Sequence, residues 1–397
     1  MPTTERLYFG DSFLCTFEGT VIAHAEWGGK AAVVLDRSAF YAEARGQMAD
    51  RGTLGGLTVV DVQTDDVGRM FHVVEGERPA VGTSVQGTVD RDRRRVHMAL
   101  HTGQHMLSRA LHDLANAATV SSRLGESTCT IDVDQASVEE QKLAAAEDLV
   151  NAVIDNDVAV RAFFPTADEL KGLPLRRAPT VTENIRVVDI AGFDVSPCGG
   201  THCTRTAQVG FVQVTGVERY KGKIRVFFTT GPRARREALV QTATLRRLGR
   251  EFSCEPLLVP GAIVKLRDEI TAGREALGKV RGRLAEALAP QLKAGAAPDA
   301  PIVALVNDAP NELLRSIAVR LTADANALAV LGGTTPEGVC IVVSRGAQNT
   351  VDCGKLLGKI AALAGGRGGG RKEHAEGKLP ANIAFEALAI EALRSLG

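Results

Sequence analysis

Two short phrases, far apart in the chain, constrain its fold more than anything else in it: His101-Thr-Gly-Gln-His105 and Cys198-Gly-Gly-Thr-His202. Each sets two metal-binding side chains four positions apart. Together they supply three imidazoles and one thiolate, a donor set whose size and softness suit zinc. Around the first phrase Met98, Leu100, Met106, Leu107, Ala110, Leu111 and Leu114 recur at helical intervals, so His101 and His105 fall one turn apart on one helix face. The second follows a strand-like run, Ile185 to Ile190, and breaks into Pro197-Cys-Gly-Gly, whose glycines permit a tight turn folding over the helix. Eight histidines yield roughly 0.14 HxxxH pairs by chance, so either phrase alone is a weak signal, and a histidine on an apolar face is more often a core residue. Both phrases together predict one metal site with His101, His105, Cys198 and His202 as ligands. Cys203 adjoins His202 and reads as a pocket or structural thiol, in reserve as a ligand. His97, one turn before His101, reads as an ordinary exposed helix position.

The stretches Leu35-Asp-Arg-Ser-Ala-Phe-Tyr-Ala-Glu, His97-Met-Ala-Leu-His-Thr-Gly-Gln-His-Met-Leu-Ser, Leu124-Gly-Glu-Ser-Thr-Cys-Thr-Ile-Asp and Pro197-Cys-Gly-Gly-Thr-His resemble the AlaX-type alanyl-tRNA editing proteins, free-standing relatives of the editing domain of alanyl-tRNA synthetase. The resemblance covers residues 1 to 230 in order. It implies a trans-editing hydrolase that cleaves the aminoacyl ester of tRNA(Ala) mischarged with serine, or with glycine, at one zinc ion per chain. Where family members carry Gly-Gly-Gly-Gln-Pro, this chain reads Ala44-Arg45-Gly46-Gln47-Met48, keeping Gln47 but losing glycines of a substrate-facing loop. Thr128 and Thr130, with Ser122 nearby, are candidates to read the serine hydroxyl, because hydrogen-bond matching discriminates better than a methyl-sized pocket. Gly199, Gly200 and Thr201 complete the expected substrate site. Editing of seryl-tRNA(Thr), whose synthetase has a related domain, and a non-catalytic zinc-stabilised RNA-binding adaptor are the competing readings. A remnant of a full synthetase is disfavoured, since the chain opens directly on the expected barrel. Neither a Gly-x-Ser-x-Gly elbow nor HExxH occurs, which disfavours those hydrolase templates.

The organisation expected is multidomain. Residues 1–90 alternate short β runs with glycine-rich turns, as in a small β-barrel, which the family resemblance makes translation-factor-like. Residues 91–230 mix helices and strands as an α+β editing domain with an antiparallel sheet. Within it, Ser137 and Glu140 spell a capping box for a helix over 137–155. Residues 231–295 read as a helical hairpin arm whose second helix carries a heptad seam (Ile263, Leu266, Ile270, Leu277, Val280, Leu284) for the preceding helix or for a second copy in a homodimer. Residues 296–397 read as a small α/β domain ending in a loop, Gly365 to Lys372. Glycines there let backbone amides approach a phosphate, and Arg367, Gly368, Gly369, Gly370, Arg371 and Lys372 are the expected tRNA contacts. The region resembles the DHH-associated domain, which implies tRNA binding and dimerisation. It lacks a full phosphate-loop phrase, so nucleotide hydrolysis is not expected.

Charge sharpens the RNA question. With 47 Lys plus Arg against 47 Asp plus Glu, no global field attracts a polyanion, and RNA contacts must come from local clusters such as Arg91–Arg95, Arg233–Arg236 and Arg367–Lys372. Seven scattered cysteines and no secretory segment point to thiols in the cytoplasm, and no apolar run is long enough for a membrane.

Overall fold

The computed structural model describes residues 3–44, 46–179 and 181–395; Arg45 of the variant glycine-rich phrase lies outside them. The chain forms two compact units, Met1–Arg247 and Leu248–Gly397.

The first unit opens with β1 (Glu5–Arg6), β2 (Thr16–Trp27), β3 (Lys30–Leu35), β4 (Arg37–Ser38), β5 (Gly52–Leu54), β6 (Leu57–Thr64), β7 (Met70–Glu75) and β8 (Ser84–Val89). Six of these close into a barrel in the order β2-β3-β7-β6-β5-β8, and β8 pairs back onto β2. Alternation drives the closure: along β8, Val85, Gly87 and Val89 point inward while Ser84, Gln86 and Thr88 face out. Val21, Val33, Leu35, Leu54, Val59, Val62 and Met70 fill the interior with Phe17 and Phe40.

Next comes α1 (Arg91–Ala115), the central helix, capped by the Asp90 carboxylate accepting from the Arg93 amide and ended by Asn116 in the left-handed region (φ 50°). It is followed by β9 (Thr119–Leu124), β10 (Cys129–Val133), α2 (Glu140–Asp155), β11 (Val160–Phe163), α3 (Ala167–Gly172), β12 (Val187–Ile190), β13 (Asp194–Pro197), β14 (Val212–Tyr220) and β15 (Lys223–Thr230). Strands β14-β15-β10-β9 make one antiparallel sheet and β11-β12-β13 another. Met98, Met106, Leu107 and Leu111 of α1 pack with Ile131, Val226 and Phe228 of the sheet and with Leu143, Val150 and Ile154 of α2. Burying each such side chain stabilises the fold by about 1.5–3 kcal/mol. Gly103, inside the first metal phrase, permits the close approach: a Cβ there would lie 2.7 Å from Thr230 Cγ2 and 3.2 Å from Val212 Cγ2.

The capping box expected at Ser137 is not used. Helix α2 starts at Glu140 with Glu139 as its N-cap and no side-chain cap. Val138 packs against the core, and the chain is still extended at Glu139 (φ −67°, ψ 138°). A reciprocal box forms instead at Thr166 and Glu169, opening α3.

The unit boundary falls within α4 (Gly231–Glu251). The second unit contains α5 (Val259–Ala294), β16 (Ile302–Val306), α6 (Asn311–Leu321), β17 (Leu328–Thr335), β18 (Gly338–Arg345), α7 (Cys353–Ala364), β19 (Arg367–Gly370), β20 (His374–Leu379) and α8 (Phe385–Arg394). Its mixed sheet runs β16-β17-β18-β20-β19, with one parallel pair, β16–β17. The glycine-rich stretch expected as a phosphate-facing loop is largely the edge strand β19. Its glycines serve close packing. A Cβ on Gly370 would sit 2.3 Å from Ala375 Cα, and one on Gly368 would sit 2.8 Å from both Gly377 Cα and Leu357 Cδ2. The heptad residues of α5 are exposed: Ile263, Leu266, Ile270, Leu277, Val280 and Leu284 all present apolar surface to solvent. No helix among the described residues is long and apolar enough to cross a membrane.

Candidate metal centre

The two phrases meet. His101 and His105 project from successive turns of α1, and Cys198 and His202 come from the turn after β13. One donor atom from each of the four lies within 4.8 Å of the others, and all four side chains are withdrawn from solvent. Cys198 Sγ is 3.4 Å from His101 Nε2 and 3.3 Å from His202 Nε2. A tetrahedral zinc with Zn–S of about 2.3 Å and Zn–N of about 2.0 Å requires S···N separations of about 3.5 Å. The donors therefore fit such an ion in both type and spacing.

His101 and His202 are oriented by hydrogen bonds through their other nitrogen, the arrangement that fixes a ligand's tautomer and ring plane, and His105 faces a carboxylate. His101 Nδ1 lies 2.7 Å from Gln47 Oε1, His202 Nδ1 lies 3.2 Å from Thr102 Oγ1, and His105 Nδ1 lies 3.5 Å from Asp194 Oδ2. With Nδ1 protonated, every Nε2 is left as a donor toward the centre. Asp194 is in turn held by Arg176 Nε at 2.7 Å and Ser196 Oγ at 2.9 Å. Burial opposes its charge, but the contacts from His105 and Arg176 prevail and keep it ionised far below the usual carboxylate range.

Electrostatics at the centre favour the binding-competent forms of Cys198 and His202, whereas at His105 burial is outweighed by Cys198 and Asp194, which raise its pKa. Burial works against a Cys198 thiolate, yet the surrounding His101, His202 and His105 outweigh it and hold the thiol well below its ordinary value. Burial and His101 push His202 down to about 3, so its ring stays neutral. Cys203 differs: burial raises its thiol to about 11, its amide donates to Thr102 Oγ1 at 3.1 Å, and it packs in the hydrophobic core. It stands outside the four-donor cluster as a structural thiol.

Why the turn reads Cys-Gly-Gly-Thr follows from its crowding. A Cβ on Gly200 would fall 2.1 Å from His101 Cε1, so only glycine fits there. Thr201 is fully buried and accepts from Gln47 Nε2 at 2.8 Å. Arg186, only 5% exposed, clamps the turn by donating from Nη1 to the carbonyls of Cys198 (3.1 Å) and Gly200 (2.8 Å). Gln47 reaches the centre because Gly46, at φ 90°, lies against β9, where a Cβ would be 2.3 Å from the Ser122 carbonyl oxygen. The Leu124 amide then donates to the Gly46 carbonyl at 2.7 Å. The one glycine this contact needs is the one the variant phrase retains.

A cleft of about 430 Å³ opens onto the centre, lined by His101, Cys198, Gly199, Gly200, Gln104 and Ser122 among others. Gln104 Nε2 donates to Ser108 Oγ at 2.7 Å, and Thr119 Oγ1 donates to the same oxygen at 2.8 Å. Neither Thr128 nor Thr130 lines this cleft; Thr128 is exposed along a separate hollow beside Gly216 and Phe227. His97, expected on an exposed face, is 3% exposed because α1 is buried nearly all round from His97 to Leu111. Arg367, Gly368–Gly370, Arg371 and Lys372 lie in the second unit, exposed on β19 and the turn after it. Gln47, Thr102, Asp194 and Arg186 escaped the sequence reading of the centre; of these only Gln47 carried a signal, as the residue preserved in an altered phrase.

Comparison with known proteins places these parts. Residues 185–227 match the family described as "Threonyl and Alanyl tRNA synthetase second additional domain". Residues 12–93 match "tRNA synthetases class II (A)" and residues 299–396 match the "DHHA1 domain". The alanine–tRNA ligase of Archaeoglobus fulgidus is 34% identical over 95% of this chain and 42% of its own length. That of Pyrobaculum calidifontis is 33% identical over 95% of the chain and 42% of its own length. This chain thus spans less than half the length of these relatives. The solved C-Ala domain of Aquifex aeolicus alanyl-tRNA synthetase overlays 24% of this chain and 88% of its own at 16% identity, with a TM-score of 0.23, too slight a likeness to carry an argument.

Proposed function

Since the chain belongs to the family of alanyl-tRNA synthetase and its AlaX-type editing relatives, we propose that it is an aminoacyl-tRNA deacylase. Its substrate is tRNA(Ala) mischarged chiefly with serine, and the bond it cleaves is the ester joining the amino acid to the terminal ribose. The observation that carries this reading is the convergence of His101, His105, Cys198 and His202 on one point beside a cleft.

Those four side chains would hold zinc, which when bound supplies Lewis-acid polarisation of an ester carbonyl or a more acidic water. The remaining work belongs to the chain. Gln47 and Thr102 orient His101 and His202, Asp194 faces His105, and Arg186 fixes the turn that presents Cys198. The cleft walls limit the orientations an aminoacyl ester can adopt. Gln104, with its Nε2 engaged by Ser108, offers Oε1 to the hydroxyl of serine. Alanine leaves that acceptor unpaired, and a mismatch of this kind discriminates more strongly than a small change in volume. Arg367, Arg371 and Lys372 are the second unit's candidates for RNA contact. The exposed seam of α5 is a surface for a second copy of the chain, which sedimentation would report as a dimer and which Leu277→Asp would dissociate.

The test is the half-life of seryl-tRNA(Ala) and glycyl-tRNA(Ala) with the metal-loaded protein, with and without chelator, beside alanyl-tRNA(Ala). Rapid, chelator-sensitive release of serine with alanyl-tRNA(Ala) spared is expected. An unchanged ester half-life eliminates the enzymatic reading.

A further inference from the structure

Two of the basic clusters, separated by most of the first unit in sequence, line one cleft. Its volume is about 360 Å³, and its walls include Arg93 and Arg95 from the first turns of α1 and Arg233 and Arg236 from the first turns of α4. Four arginines face two carboxylates there, Asp92 and Glu126. Glu126 is already engaged by Arg93 Nη1 at 2.8 Å and by Arg51 Nη2 at 3.0 Å, so a third arginine adds to the positive side. Arg233 is anchored by donating to the carbonyls of Gly125 and Glu126 at 3.0 and 3.1 Å, while Arg95 and Arg236 are exposed.

The floor of the cleft adds an independent sign of a ligand. His97 lines it and is 3% exposed, and its Nδ1 is a buried polar atom without a hydrogen-bond partner in the protein. A buried polar atom left unpaired is costly, and such groups are normally satisfied by a ligand or water. The position of the cleft matters as much as its charge. His97 precedes the metal-centre residue His101 by one turn of α1, a rise of about 6 Å. Gly125 and Glu126 directly follow β9, whose Ser121 and Ser122 line the cleft at the metal centre. The two hollows therefore adjoin along the same helix and the same strand.

We infer that the arginine-lined cleft between α1 and α4 binds phosphodiester groups of the RNA strand upstream of its esterified 3′ end, feeding that end to the metal centre. Arg95 and Arg236 supply the accessible charge, and His97 Nδ1 supplies a hydrogen bond from the floor. The inference rests on the deacylase reading for what lies at the strand's end, but the binding of RNA phosphates stands on the cleft itself. It also answers the chain's zero net charge, since guanidinium groups gathered in one groove attract a polyanion without a global field.

The test combines Arg95→Ala with Arg236→Ala, both at exposed positions, and uses Arg235→Ala, exposed on α4 but outside the cleft lining, as the control. Binding of an uncharged RNA minihelix ending in single-stranded CCA is measured over a range of salt, together with zinc content and hydrolysis of 3′-O-seryl-adenosine, which has no upstream phosphate. The double variant is expected to bind the minihelix about tenfold more weakly, with a salt slope smaller by about 1.5–2. Its zinc content and its turnover of seryl-adenosine should match the wild type, and the control should bind RNA normally. Equal affinity in the double variant, an equal loss in the control, or no minihelix binding by the wild type overturns the inference. If the wild type binds RNA as expected but hydrolyses neither ester, the deacylase reading falls and the cleft stands.

Discussion

Within the unit that ends at Arg247, the interior holds His72, Asp50, Arg94, Gln47, Asp194 and the three metal-centre imidazoles; within the unit that begins at Leu248, Ser344 is the one buried polar side chain among the described residues. The second unit is built on apolar packing, such as Leu356, Leu357 and Ile360 of α7 against Ile341, Val343 and Phe385. Burying polar groups is unfavourable unless each finds a partner, so a protein keeps them where geometry must be exact to a fraction of an ångström. The contrast gathers the buried polar groups, the four-donor cluster among them, in the first unit.

The sharpest way to break that contrast is to remove a donor from the centre. Cys198→Ala is expected to lose bound zinc and to slow ester cleavage by about 10³-fold, as read by metal analysis and a deacylation time course. Retained metal with full activity would overturn the assignment. Next in size is the ion pair that ties α1 to the segment between β4 and β5, where Arg94 Nη2 meets Asp50 Oδ2 at 2.5 Å with both side chains buried. Arg94→Met leaves a buried carboxylate unpaired and should destabilise the first unit by about 3–5 kcal/mol in denaturant titration. The equivalent loss of the partly exposed Arg315–Glu376 pair in the second unit should cost about 0–1 kcal/mol. Equal costs would mean that the two interiors do not differ as described.

Acid should separate the units too. His72 is fully buried in the barrel between Ser38 Oγ (2.8 Å) and the Val33 carbonyl (3.1 Å), and burial lowers its pKa from 6.5 to about 4. The unfolded ring takes up a proton near 6.5, while the folded ring resists until about 4. The resulting stability is full above the first value and is lost as pH falls toward the second, by about 3 kcal/mol. Equilibrium unfolding of His72→Gln should show a flatter pH dependence across that window, and an unchanged slope would remove His72 from the account. A smaller effect than the loss of Cys198 is expected at Gln47. Gln47→Leu keeps all four donors but frees the His101 ring, and should weaken zinc binding by about 10–100-fold in competition with a chelator. Unaltered affinity would show that the barrel contributes no orientation to the centre.

How much of this was readable in advance follows the same division. The four donors were legible because helical spacing and a glycine turn are local properties, and the strands of residues 1–90 were legible from alternation. His97 was misplaced because helical spacing predicts one buried face, whereas α1 is enclosed on nearly every side. The capping box at Ser137 failed because a local hydrogen-bond pattern carries no information about tertiary packing, and Val138 packs against the core there. Gly365 to Lys372 suggested an open loop because polyglycine permits many conformations; only the neighbouring strand and α7 reveal that the glycines are there for closeness. Asp194, Thr102 and Arg186 had no signal, since each acquires its role only when distant segments meet. The exposed seam of α5 was visible as a heptad, and a repeat by itself does not identify what covers it.

Three imidazoles and one thiolate are placed to share a single divalent ion. Zinc-edge X-ray absorption of the purified protein tests this most directly. A first shell of nitrogen at about 2.0 Å with one sulfur at about 2.3 Å is expected. A shell without sulfur would contradict the shared site.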